Sequence, residues 1–176
     1  MRNELVLALV LASLAFTAGY LLPRSETHCP ESVQALISPG IGGEVLRLVS
    51  SANSTIEAEL YQFSFTPLMD ELVRAHGRGV SVRVILEPRL SGDDNLDAAA
   101  FLVRHGVPVR WASLSFSNTH SKLAIIDGES ALVGSPNWSY SAMFKNRETA
   151  AIISGKNAIR EFRETFEEDW AAGTPA

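Results

Sequence analysis

Between Val33 and Trp170 the spacing of apolar residues switches repeatedly between a two-residue and a three-to-four-residue rhythm, as strands alternating with helices require. Val33 to Ile37 reads as a strand, and Ser38-Pro39-Gly40 as a turn into a helix with Ile41, Val45, Leu48 and Val49 on one stripe. Thr55 to Phe63 returns to the strand rhythm. Thr66-Pro67 supplies an N-cap and a first-turn proline for a helix through Leu68, Leu72 and Ala75, stopped at Gly77. Val80, Val82, Val84 and Leu86 share one face of the next strand. Asp93-Asp94-Asn95 opens a helix that ends at His105-Gly106, and Val107 to Trp111 is again extended. Ser121 to Ile126 and Ala131 to Val133 read as a hairpin turned by Asp127-Gly128-Glu129-Ser130. Thr149 to Ile153 is a further strand. Ile159, Phe162, Phe166 and Trp170, stepping by 3, 4 and 4, mark a closing helix that lays its stripe on the sheet. The pattern predicts one layered α/β domain.

The N-terminus follows neither rhythm: 15 of the 18 residues from Leu5 to Leu22 are apolar, with no charge between Glu4 and Arg24. As a helix this run extends about 27 Å, just enough to span a bilayer core. It reads as an uncleaved membrane anchor, or as a signal peptide with a poor cleavage site, since Phe16 stands third before a cut after Ala18. The division is therefore 1–23 hydrophobic helix, 24–32 linker and 33–172 domain. The expected location is membrane-anchored, or secreted or periplasmic if the segment is removed, with the domain on the extracytoplasmic side.

Composition narrows the classes. Cys29 is the only cysteine, which excludes an intrachain disulfide framework and any multi-thiolate zinc site. Glu26-Thr27-His28 before it are unlike a lipoprotein signal. The net charge of −5 is unevenly spread: residues 1–71 carry 3 basic and 8 acidic groups, 72–147 carry 9 and 6, and 148–176 carry 3 and 6. A generic nucleic-acid binder would be basic throughout, yet the positive middle segment can still attract a phosphodiester.

The polar residues of that segment are the candidate chemistry. His120 and Lys122 are two apart, so on a strand they point to one face, and Ser135 and Asn137 repeat the spacing after the next strand, where Gly134 and Pro136 shape the backbone. Imidazole, ammonium, hydroxyl and amide together suit a phosphodiester: the imidazole attacks phosphorus while Lys and Asn bind the oxygens whose charge builds up. Fixed donors of this kind need no metal. Asp127 lies seven residues from His120, an odd number, so a continued strand turns it away from the site. His76 and His105 each precede a glycine at a helix end and read as terminus partners, and His28 lies in the linker. Trp111, Phe116, Trp138 and Tyr140 bracket the motifs as core, rim or stacking residues.

His120-Ser121-Lys122-Leu123-Ala124-Ile125-Ile126-Asp127 resembles the HxKxxxxD signature of the phospholipase D superfamily, and Gly134-Ser135-Pro136-Asn137 its GSxN element. The resemblance covers most of residues 33–170 and leaves the hydrophobic run aside. It implies an α/β/α sandwich with a central mixed β-sheet. It further implies that His120 forms a phosphohistidine, that Lys122 and Asn137 hold the phosphate, and that Ser135 is a supporting hydroxyl. Glu148, in Asn146-Arg147-Glu148, resembles the carboxylate that accepts from the nucleophile's other ring nitrogen. Asp127 and Gly134 remain structural, and no cofactor is implied. One motif where larger members have two implies a homodimer sharing a cleft across a twofold axis. A small format, a basic middle and no acyl-binding insertion favour an endonuclease on DNA or RNA. The hydrophobic run favours hydrolysis of membrane phospholipid, phosphatidylcholine or cardiolipin. A mitochondrial, membrane-anchored single-motif group carries a paired-cysteine zinc element that this chain lacks. A non-catalytic binding module is the third reading, against which the complete motif stands.

Overall fold

A computed structural model describes residues 32–176. The hydrophobic run, Cys29 and the linker before Ser32 lie outside the described residues. The described chain builds an eight-stranded mixed sheet in the order β1-β7-β6-β5-β2-β3-β4-β8. The strands are β1 (Ser32–Ile37), β2 (Thr55–Leu60), β3 (Ser81–Leu86), β4 (Val109–Trp111), β5 (Lys122–Ile126), β6 (Ser130–Gly134), β7 (Thr149–Ser154) and β8 (Thr174–Pro175). The helices are α1 (Gly42–Ser50), α2 (Thr66–Gly77), α3 (Asp94–Arg104), α4 (Tyr140–Phe144) and α5 (Lys156–Ala172). Strands β2, β3 and β4 are parallel to one another, and every other pairing is antiparallel.

The two-residue rhythm decides which side chain enters which layer. Ile56, Ala58 and Leu60 of β2, Val82, Val84 and Leu86 of β3, and Ala124 and Ile126 of β5 pack under α1, α2 and α3 in the larger core. Ile85, Leu123, Ile125 and Ala131 point the other way and meet Ile159 and Phe166 of α5, with Phe162 and Trp170 partly buried beside them. The 3-4-4 stripe therefore covers the second face, completing three layers.

Polar residues also enter that second layer. Glu57 and Glu59 alternate with the apolar residues of β2 and are buried. Arg83 bonds Glu57 at 2.8 Å, reaches Glu167 on α5, and lies over the rings of Phe166 and Trp170 at 5.1 and 5.3 Å. The arginine's charge is thus satisfied while its plane packs on aromatic surface.

One local expectation changes, and two short elements are new. The helix expected to be capped by Thr66 has Phe65 at the N-cap with no side-chain capping bond, and Thr66 is its first residue. Phe65 is drawn into that place by its amide bonding the Trp138 carbonyl at 2.9 Å. Helix α4 and strand β8 were not legible in the periodicity, because five and two residues are too short to show one.

Candidate active site

The signature residues other than Asp127 gather at one end of the sheet. Strand β5 runs antiparallel to β2 so that Lys122, its first residue, sits opposite Leu60, the last of β2. Strand β6 ends at Gly134, opposite Ala150 of β7, and the Ser135 amide bonds the Thr149 carbonyl. A Cβ at Gly134 would lie 2.5 Å from both the Ala150 Cα and the Thr149 oxygen, so only glycine lets β6 and β7 close here. His120, Lys122, Ser135, Asn137 and Glu148 thereby come from three strand ends to one rim.

His120 lies in the loop before β5 rather than on the strand, and it is exposed. Its ring and that of Tyr61 are 4.2 Å apart at 50°. The Lys122 Nζ is 3.0 Å from His120 Nδ1 and 3.3 Å from Nε2, and donates to the His120 carbonyl at 2.9 Å. It also sits 4.7 Å from the Tyr61 ring centroid. Lys122 is only 9% exposed. That burial depresses its pKa, opposed by the negative charge of Glu148. A cation held this dry, beside an open imidazole, is poised for an anion.

Asn137 forms the second limb. Its Nδ2 donates to Gln62 Oε1 at 3.0 Å, Gln62 Nε2 in turn donates to Asp94 at 2.7 Å, and Asn137 Oδ1 is buried without a partner. Tyr61 and Gln62 are consecutive, so the His120–Lys122 limb and the Asn137 limb meet across the end of β2. Neither residue was singled out from the sequence. The available signal was their place just beyond a strand that β3 continues in parallel, where α/β sheets hold their sites.

The third limb departs from what the resemblance implies. Glu148 makes no hydrogen bond to His120: its Oε2 accepts from Ser135 Oγ at 2.6 Å and its Oε1 from Asn146 at 3.1 Å. Both oxygens are engaged, because the Ser135 hydroxyl is fixed beside β7 by the Thr149 amide at 3.1 Å. Glu148 therefore acts on the site through its charge on Lys122 and its hold on Ser135.

Asp127 stands at the far end of β5. It adopts φ +56° at the hairpin turn, and its carboxylate accepts the amides of Asn53, Ser54 and Thr55 and the Ser54 hydroxyl. Its pKa is lowered to about 2: burial pulls it up, but those donors outweigh burial. His105 bonds the Phe101 carbonyl at 2.8 Å, and His76 sits in the last turn of α2, both away from this rim. Among the described residues, no group of three or more His, Cys, Asp and Glu side chains is placed to share an ion.

The family model described as "Cardiolipin synthase, PLD-like domain" matches residues 45–170. Mitochondrial cardiolipin hydrolase of Mus musculus is 32% identical over 157 residues, 88% of this chain and 68% of that protein. The Danio rerio protein of the same name is 29% identical over 84% of this chain, and the chain spans 62% of its length. Among solved structures, the phospholipase D family member Nuc from Salmonella typhimurium superimposes with a TM-score of 0.78 at 30% identity, covering 82% of this chain and 97% of Nuc. An HxKxxxxD strand, a GSxN strand end and a mixed sheet that brings both to one rim are thus joined to a match over most of the domain, and the chain belongs to the phospholipase D superfamily.

Proposed function

We propose that this chain is a phosphodiester hydrolase that works through His120, and that its substrate is a polynucleotide cut internally. The observation that carries the reading is the desolvated Lys122 ammonium against the ring of an exposed His120. In the reaction a neutral ring nitrogen of His120 attacks phosphorus, the bond from phosphorus to the leaving oxygen breaks, and a phosphohistidine forms. Lys122 and the Asn137 amide bind the non-bridging oxygens as their charge grows; water then attacks phosphorus, the phosphorus–nitrogen bond breaks, and the water's proton passes to the group that protonated the leaving oxygen, which restores His120. The leaving oxygen needs a proton. A twofold homodimer supplies it from the His120 of a second copy, which is why one motif suffices.

Two observations favour polynucleotide. Lys145 and Arg147 stand exposed between Asn137 and Glu148, where neighbouring phosphates of a chain would run. Ser32 pairs with Ser154 and Ile37 with Thr149, so β1 begins at the end of the sheet away from Glu148. A membrane anchor at Leu5–Leu22 would therefore join the domain at the pole opposite its site.

A second reading, hydrolysis of membrane phospholipid, is favoured by Leu114 and Phe116, 73% and 56% exposed on the loop that leads to His120, and by the name of the curated relatives. One assay separates the two. The chain and His120→Ala are given single-stranded DNA, plasmid, RNA, phosphatidylcholine and cardiolipin, each with chelator. Nucleic-acid cleavage that survives chelator and is lost in the variant supports the first reading. Head-group release alone replaces it with the second, and loss of all activity in chelator overturns the metal-independent mechanism.

A further inference from the structure

The His120 loop is held by a residue that no catalytic motif contains. Glu87 follows β3 and is 0% exposed. Its Oε2 accepts the amide of Thr119, the residue before His120, at 2.6 Å. The same carboxylate takes the Arg89 guanidinium on both oxygens and the Arg89 amide at 2.8 Å. Arg89 extends the hold along the loop, donating to the carbonyls of Phe116 and Ser113.

The backbone of Glu87 is fixed in turn. Buried Asn95, at the start of α3, donates to the carbonyls of Glu87 and Tyr61 at 2.8 and 2.9 Å and accepts the Phe63 amide at 2.9 Å. It thereby ties the ends of β2 and β3, and with them Tyr61, which packs on His120, and Gln62, which holds Asn137. A buried carboxylate is strongly unfavourable unless its lone pairs are satisfied. Burial would raise its pKa, yet the Arg89 and Thr119 donors more than compensate and hold it below the ordinary carboxylate value. The loop it anchors, Ala112 to Thr119, contains no charged residue and displays Leu114 and Phe116 outward. Apolar packing does not fix such a loop, so the bonds at its base must.

We propose that Glu87 is the positioning residue for the nucleophile: through Thr119 directly, and through Arg89 along the loop, it sets where the His120 ring stands relative to Lys122. This rests on the phosphodiesterase reading. It predicts a loss in turnover rather than in substrate affinity, because Lys122 and Asn137 are carried by β5 and the β6 exit and keep their places.

The test uses the full chain in detergent with bis-p-nitrophenyl phosphate as probe, comparing wild type, His120→Ala, Glu87→Gln, Arg89→Lys and Phe166→Leu. Glu87→Gln keeps the shape but turns one acceptor oxygen into an NH2 donor, and Arg89→Lys leaves Glu87 ionised but cannot fork to both loop carbonyls. Phe166→Leu loosens the layer under α5 without touching the Glu87 carboxylate, as a control for stability. In folded Glu87→Gln and Arg89→Lys, kcat is expected to fall about 10- to 100-fold with KM within about twofold, while Phe166→Leu lowers Tm and keeps kcat. Should Glu87→Gln fail to fold, Arg89→Lys carries the same expectation. Folded Glu87→Gln or Arg89→Lys with kcat near wild type overturns the proposal, as does a kcat that follows Tm in Phe166→Leu. Wild type no faster than His120→Ala removes the phosphodiesterase reading and the proposal with it.

Discussion

Asp127 belongs to the family signature by sequence and to the far end of the strand by structure, and Asp127→Asn separates the two roles. Asparagine keeps the shape and tolerates the positive φ of +56°, so the substitution removes charge without adding backbone strain. The carboxylate's drop from 3.8 to about 2 corresponds to about 2.4 kcal/mol. Partial exposure screens part of that, leaving about 1–2 kcal/mol, or roughly 3–6 °C in Tm for a domain of this size. A group whose folded pKa is depressed contributes fully above its unfolded pKa and loses the contribution as pH falls through the folded one. The gap between wild type and variant is therefore complete above about pH 4 and closes toward about pH 2. Urea melts at pH 7, 5, 4 and 3, with turnover measured at pH 7 well below the midpoint, check this. Stability is expected to fall with turnover kept within about twofold. A variant that melts like wild type but has lost turnover by about 100-fold would refute the structural assignment and return Asp127 to the chemistry.

Burial, and then the charge of Asp169 on α5, push Glu59 up to about 7. Such a group adds stability below about pH 4.5 that is lost as pH rises through about 7, so Glu59→Gln is expected to gain about 2–3 kcal/mol at pH 8 and almost nothing at pH 4; equal gains at both pH values in urea melts would sink this. Lys122→Met removes a cation whose pKa is depressed chiefly by burial. It should abolish turnover while raising stability by about 1 kcal/mol, and a large loss of Tm would show Lys122 to be a structural partner instead. Gly134→Ala forces a Cβ against Ala150 and Thr149. A loss of about 1–3 kcal/mol is expected, with kcat falling further as Ser135 and Glu148 move; unchanged kcat would show that this junction does not set the site.

Much of the fold was legible because burial on two faces writes itself into periodicity. Val80 to Leu86 and the Ile159–Trp170 stripe each carry the period of the element they form, and both pack where that period directs. Glu57, Glu59 and Arg83 blurred the rhythm of β2 and β3, because the second face buries ion pairs as well as apolar surface. In the candidate site, His120, Lys122, Ser135, Asn137 and Glu148 were readable from spacing and motif, since local geometry ties each to its neighbour. Tyr61, Gln62, Glu87 and Asn95 were not. The partners that tie them to the site lie 32 to 75 residues away, and a glutamate after a strand looks the same whether it meets solvent or a buried amide.

The sequence by itself determined the types of the longer elements, the two-faced strands, the family and the candidate nucleophile, because these depend on patterns within a few residues. Only the tertiary structure decided which strand ends meet. It placed Lys122 against His120 and Tyr61, drew Glu148 to Ser135 rather than to His120, and carried Asp127 to the opposite end of β5. Those outcomes follow from strand order and register, which are fixed by the packing of the whole sheet and leave no local trace in the chain.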